Sequence, residues 1–242
     1  MSRILRVATY NIHKCRGLDG RVLPARISDV LEEIDADVIG LQEVMSVAGG
    51  KPEQDQIQYI ADRLQTYNWC FGENRIHGGG PYGNAILARS TIGYYCNYDL
   101  TWKKRERRGC LRADIPIRAG CRLHVFNVHL GTGFVERRHQ ARRLLSEDVL
   151  HREDLRGPRI IIGDFNEWTR GLASRLMAES FESIDLKLFS RVRRTYPGIF
   201  PVLHLDHFYF DKSLRLESFN IHRSRKALAA SDHLPLVAEF QM

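Results

Sequence analysis

The 242-residue chain has no run of 18 apolar residues, and its N-terminus has no apolar core of signal-peptide length. A membrane-spanning chain is therefore excluded, and a cytoplasmic protein is expected. Cysteine is sparse: Cys15, Cys70, Cys96, Cys110 and Cys121, with no CxxC pair. That argues against a zinc ribbon or a thioredoxin-type redox site, and an odd, scattered set fits reduced thiols. No internal repeat, low-complexity tract or long Pro/Gly-rich linker divides the sequence, so one domain over residues 1–242 is expected. No GxSxG elbow occurs, which removes an α/β-hydrolase triad. Gly78–Gly83 formally fits GxGxxG. No β-run ends before it and Asn84–Ala88 reads as a strand after it, so it is expected to be a flexible loop.

The charge is what is present in excess. Thirty-six basic residues against 29 acidic give +7. Twelve of the basic and three of the acidic residues lie within Thr101–Arg143, so the rest of the chain is slightly acidic. Such a segment is either a solvated basic face or a surface for an anionic partner. Within it, Lys103, Lys104, Arg105, Arg107 and Arg108 read as a charged hairpin edge, with Arg105 and Arg107 on one face and Arg108 on the other.

The local patterns alternate between strand and helix. Strands are expected at Ile4–Tyr10, Asp37–Glu43, Asn84–Ala88, Leu111–Ile117, Arg122–His129, Arg159–Gly163, Leu205–Phe210, Leu214–Phe219 and Leu236–Phe240. Helices are expected at Pro24–Ala36, Pro52–Tyr67, Glu136–His151 and Leu172–Met177. Hairpin-length and helix-length connections are mixed, which predicts layered sheets covered by helices in an α/β (α+β) fold.

Polar residues able to bind metal or move protons recur where these strands end. Asn11 and His13 follow the first, Glu43 ends the second, and Asn127 and His129 end the alternating strand. Asp164 and Asn166 follow Ile160–Gly163, Asp206 opens Leu205–Phe210, and Asp232 and His233 precede Leu236–Phe240. Strand ends converge on one edge, where such folds place their ligands. The donors are oxygen-rich, which suits Mg²⁺ or Mn²⁺ better than zinc or copper. Magnesium, histidine and carboxylates together suit phosphate-ester hydrolysis.

The motifs Thr9–His13 (TYNIH), Leu41–Val44 (LQEV), Gly83–Leu87 (GNAIL), Asn127–Leu130 (NVHL), Gly163–Asn166 (GDFN), Leu205–Asp206 (LD) and Ser231–His233 (SDH) arrive in a characteristic order. In that order the chain resembles the endonuclease/exonuclease/phosphatase superfamily, and most of all its small bacterial metal-dependent hydrolases. The resemblance implies a deoxyribonuclease I-like fold, a four-layer sandwich of two mixed β-sheets flanked by helices.

It also implies roles. Asn11, Glu43 and Asp232 would hold Mg²⁺, with Mn²⁺ as a substitute. Asp164 would deprotonate the attacking water and Asn166 would help to position it. His129 would contact the scissile phosphate, and His233 would stabilise the transition state, with Asp206 fixing its tautomer. Asn84, Asn127 and Trp168 would line the substrate. Position 129 is His where abasic-site nucleases carry tyrosine, which argues against that repair activity. The expected substrate is an anionic phosphate ester. Nucleic acid or a phospholipid head group comes first, the latter with peripheral attachment to an anionic membrane through Phe134 or Ile199–Phe200. A small-molecule phosphomonoesterase and a catalytically inactive phosphate-binding module are the alternatives. Oligomeric state is left open.

Overall fold

The computed structural model describes residues 4–118, 120–167, 171–184 and 194–242. Twelve strands among them form two six-stranded sheets. The first sheet holds β1 (Ile4–Asn11), β2 (Val38–Met45), β3 (Asn68–His77), β4 (Gly80–Ala88), β11 (Arg215–Ile221) and β12 (Leu236–Gln241), in the order β11-β12-β1-β2-β4-β3. The second holds β5 (Tyr94–Asp99), β6 (Gly109–Arg118), β7 (Cys121–His129), β8 (Arg159–Asp164), β9 (Glu182–Ser183) and β10 (Asp206–Phe210), in the order β5-β6-β7-β8-β10-β9. Each sheet has one parallel pair, β1–β2 and β7–β8, and is otherwise antiparallel. Parallel neighbours need a crossover. Helix α1 (Pro24–Ile34) provides the first and α3 (Phe134–Leu144) lies in the second. Helices α2 (Gln56–Leu64), α4 (Leu172–Ser180) and α5 (Arg225–Ala230) complete the described set.

The period-two pattern of the strands sorts side chains into layers. Leu5, Val7, Leu123, Val125, Ile160 and Ile162 meet between the sheets. Ala8, Tyr10, Ile39 and Leu41 turn outward onto Ile27, Val30, Leu31 and Ile34 of α1 and Ile57 and Ile60 of α2. Phe126, Val128 and Ile161 turn outward onto Leu144 of α3 and Met177 of α4. The result is the expected sandwich of four layers. Proline at the first turn of α1 is compatible with its missing N–H, and Asp35 ends the helix in the left-handed conformation (φ 52°).

Several expected boundaries move. Helix α2 starts at Gln56, not at Pro52, because Val47 and Gln54 pair by backbone and Ser46 bridges to Asp55. Helix α3 ends at Leu144, seven residues before His151, and Ser146 caps it by donating Oγ–H to Arg143 O at 2.8 Å. Strands β3 and β5 were not expected, because both are sheet edges whose polar and apolar residues mix. The Gly78–Gly79 stretch is not an open loop. It is the two-residue turn of the β3–β4 hairpin, with φ of 55° and 85°, as turns with two positive φ angles require.

Candidate active site

The sheet topology gathers the motif residues at one end of the sandwich. The parallel pairs β1–β2 and β7–β8 end together, at Asn11, Glu43, His129 and Asp164. His129 and Asp164 are register partners, and so are Asp164 and Asp206, the first residue of antiparallel β10. Strand β12 runs antiparallel to β1, which puts the preceding Asp232 and His233 at the same end. Gly163 makes this junction possible. Its φ is 138°, and a Cβ there would stand 1.9 Å from Val128 O.

Asp164 is the hub. Its Oδ2 accepts from Asn11 Nδ2 at 3.0 Å and faces His129 Nε2 at 3.6 Å and His233 Nε2 at 3.8 Å. Its Oδ1 accepts from the Asn166 backbone N–H at 2.8 Å, and Asn166 Nδ2 donates to Leu130 O at 2.9 Å. Burial pushes the Asp164 carboxyl up, His233 opposes this and Asp206 adds to it, leaving it at about 6. His233 Nδ1 lies 2.9 Å from Asp206 Oδ2, and that oxygen also accepts from Thr195 Oγ1. Burial alone would lower the His233 pKa, but the Asp206 carboxylate raises it to about 10.

His129 has the opposite character. Arg108 Nη1 lies 3.1 Å from its Nδ1 and 3.3 Å from its Nε2, and both residues are buried. Burial, with the neighbouring guanidinium, holds the His129 pKa well below the ordinary value. The two imidazoles that face Asp164 are thus tuned apart, one toward neutral and one toward cationic.

Glu43 lies in an irregularity of the β2–β4 pairing between Leu41 and Val44, and its φ is 60°. A non-glycine residue in that region is strained, and such strain collects at functional sites. Lys14 Nζ donates to Glu43 Oε2 at 2.8 Å, and Asn11 Nδ2 approaches Oε1 at 3.5 Å. Burial would raise the Glu43 carboxyl, yet the charges of His129 and Lys14 outweigh it and hold it below the usual carboxylate range. Asp232 joins the group through His13 Nδ1, 3.4 Å from its Oδ1. Ser231 ties this loop to β1 by donating Oγ–H to Asn11 O at 2.8 Å.

The remaining expected residues sit differently. Asn127 is buried between the sheets. Its Nδ2 donates to Leu41 O and Ala85 O, and its Oδ1 accepts from Gln42 Nε2 at 2.6 Å. Asn84 Nδ2 donates to Gly109 O and Asn127 O, while its Oδ1 is buried without a hydrogen-bond partner. These two amides join the sheets beneath the site. Asn11 meets both carboxylates as a donor, because its Oδ1 accepts from the His13 backbone N–H at 3.0 Å. Trp168 lies outside the described residues. Sequence reading passed over Arg108, Lys14 and Thr195 as site residues. Arg108 carried one signal: it is the last cation of its run and directly precedes the apolar start of β6.

The donor set fits a hard divalent cation. It offers Glu43, Asp164, Asp206 and Asp232 without a nearby reactive thiol, since Cys15 is fully buried and its pKa pushed up. Asp164, Asp206 and His233 place ligand atoms within 4.8 Å of one another, and Asp206 Oδ1 is buried without a hydrogen-bond partner.

A two-sheet sandwich with carboxylates, imidazoles and amides at one end is the architecture of a metal-assisted phosphate-ester site. The chain belongs to the endonuclease/exonuclease/phosphatase family, whose profile matches residues 8–233. It is 31% identical to the uncharacterized protein YbhP of Escherichia coli strain K12, over 98% of this chain and 96% of that one. Among solved structures, an endonuclease/exonuclease/phosphatase of Beutenbergia cavernae superposes with a TM-score of 0.82 at 22% identity, covering 99% of this chain and 72% of that one. A mannosyl-6-phosphatase of Bacteroides thetaiotaomicron gives 0.79 at 19% identity, covering 98% and 99%. The catalytic domain of human Nocturnin gives 0.78 at 21% identity, covering 100% and 98%. These three likenesses establish the fold, deoxyribonuclease I-like as the motifs implied.

Proposed function

We propose that this protein is a Mg²⁺-dependent phosphoric ester hydrolase acting on a phosphodiester, with Mn²⁺ as an alternative metal. One observation carries the reading: His129 and His233 both face the same buried Asp164 oxygen, with Glu43 reached from that oxygen through Asn11. Glu43 and Asp232 would hold the metal, with Asn11 orienting Glu43. The bound cation would neutralise charge developing on the phosphoryl oxygens.

The chain's own groups supply the rest. A carboxyl near pKa 6 is a base suited to neutral pH, so Asp164 takes the proton of the attacking water. Asn166 holds Asp164 in place through its backbone N–H. His233, kept protonated by Asp206, donates from Nε2 to a phosphoryl oxygen. The Arg108 guanidinium and His129 provide fixed hydrogen-bond donors for the scissile phosphate. Asn84 and Asn127 support this floor. The site draws on both sheets, which supports reading the chain as one domain. The described cysteines form no disulfide, which supports a reducing, cytoplasmic setting.

The test is turnover of bis(p-nitrophenyl) phosphate against p-nitrophenyl phosphate, with EDTA, Mg²⁺ and Mn²⁺. EDTA-sensitive cleavage of the diester is expected, with losses of about a hundredfold or more in Glu43→Gln, Asp164→Asn and His233→Asn. Full activity in all three variants would overturn the assignment. Cleavage of the monoester alone would move the reading to a small-molecule phosphomonoesterase, the chemistry named in one structural neighbour. Phosphate binding without turnover would indicate an inactive module.

A further inference from the structure

We propose that this protein docks on an anionic bilayer surface through two apolar tips that flank the active-site mouth, and that its substrate is a phospholipid head group. The head-group substrate rests on the hydrolase reading above; the docking does not.

The first tip is the segment 197–202. A bridge between Tyr196 and Leu203 closes it, and the Val202 and Leu203 N–H groups both donate to Tyr196 O. It is fixed to the site, since Gly198 N donates to Asp232 O at 2.7 Å and the Tyr196 ring lies 4.9 Å from the His233 ring. Its outer residues face solvent: Ile199 is 60% exposed, Phe200 76% and Val202 45%. The second tip is the first turn of α3, five residues after His129, where Phe134 is 58% and Val135 51% exposed. Arg137 Nη1 braces the preceding turn through Thr132 O. The two tips leave from His129 and His233, which face the same Asp164 oxygen at 3.6 and 3.8 Å. They therefore stand on either side of the mouth.

Cations stand beside them. Exposed Lys103, Lys104, Arg105 and Arg107 lead directly into Arg108 at the site. Trp102 stacks on His139 of α3 at 5.0 Å, which holds this basic loop against the helix that carries Phe134. Exposed Arg138 and Arg142 extend the charge along α3. Single exposed apolar residues are ordinary on any surface. Here five cluster on two braced tips, at the mouth of a site that takes anions, beside the most basic part of the chain. That is the pattern of an interfacial protein: cations draw it to acidic head groups and apolar side chains enter the acyl boundary. A nucleic-acid groove is less well matched. Ile199, Val202 and Val135 are aliphatic and offer no ring on which a base could stack.

The experiment is co-sedimentation of the full chain with vesicles of phosphatidylcholine, alone or mixed with phosphatidylglycerol. Turnover of bis(p-nitrophenyl) phosphate is measured in parallel. Binding to the mixed vesicles only is expected, weakening as salt rises. The double variant Ile199→Glu/Phe200→Glu should weaken that binding about tenfold or more. Lys103→Glu/Lys104→Glu should weaken it as well, with soluble-ester turnover unchanged in both variants. The proposal is overturned if wild-type protein ignores the mixed vesicles, or if the Ile199/Phe200 variant binds them equally well. Salt-sensitive capture of single-stranded DNA with no vesicle binding would overturn it in favour of nucleic acid. Vesicle binding as expected without cleavage of the soluble ester would sustain the docking and reject the hydrolase reading.

Discussion

His233 and Asp206 form a buried pair in which Nδ1 faces the carboxylate at 2.9 Å, so that Nε2 is left to face Asp164 at 3.8 Å. The pair sets the protonation of the site. With its pKa raised to about 10, His233 is a cation throughout the neutral range. Such a group adds stability that is fully present below the ordinary histidine pKa of about 6.5 and disappears as pH rises through about 10.

Asp206→Asn removes the charge that raises the His233 pKa and leaves the burial that lowers it. His233 should then be neutral at pH 7. The alkaline limb of the rate–pH profile should move toward acid, and kcat should fall by about a hundredfold or more. Histidine titration by NMR reads the pKa directly. A profile unchanged from wild type would remove His233 as the proton donor.

Arg108 pushes the His129 pKa down, although burial is the larger cause. In Arg108→Ala the His129 pKa should rise, and activity should fall by roughly ten- to a hundredfold through loss of a phosphate donor. Steady-state kinetics beside an NMR titration checks both halves. An Arg108→Ala enzyme with wild-type kcat/KM would make Arg108 a packing residue only.

Glu43 occupies a left-handed backbone position, which asparagine tolerates better than glutamate. Glu43→Asn should therefore cost less than about 1 kcal/mol of stability, or even add to it. Metal-dependent activity should nevertheless be lost. Urea unfolding and isothermal titration with Mg²⁺ separate the two effects. A large loss of stability with Mg²⁺ affinity retained would contradict the placement of Glu43 at the metal.

Far from the site, Asp114 accepts two hydrogen bonds from Arg112, at 2.8 and 2.7 Å, and pairs with His124 Nδ1 at 2.7 Å. Burial would raise its carboxyl, but these partners hold it below the ordinary range. The stability it adds is present above the unfolded pKa of about 3.9 and is lost as pH falls through the lower folded value. Asp114→Ala leaves a buried guanidinium unpaired and should cost about 3–5 kcal/mol in urea unfolding, with the Mg²⁺ requirement unchanged. A variant as stable as wild type at pH 7 would show the triad to be energetically idle.

Much of the fold could be read from alternation alone. Central strands such as β7 and β8 are buried on both faces or on one, so their apolar period or run is clean. Edge strands β3 and β5 escaped because half-solvated edges carry mixed residues, and the C-terminal boundary of α3 escaped because a basic, polar helix gives little periodic signal. The site residues were legible as types at strand ends. Their partners were not. Nothing in the sequence separates Arg108 from Arg107, yet one is buried on His129 and the other faces solvent. Asn127, expected at the substrate, spends its amide joining two sheets, a role that exists only where the sheets meet.

The sequence by itself determined which residues alternate and which strand ends carry carboxylates, imidazoles and amides, because both are properties of spacing along one chain. The tertiary structure decided what those groups do to one another. Asp164, His129 and His233 are separated by 35 to 104 positions in the chain and by less than 4 Å in space. Only that approach, in a buried setting where charges act strongly, tunes one histidine toward neutrality and the other toward a cation.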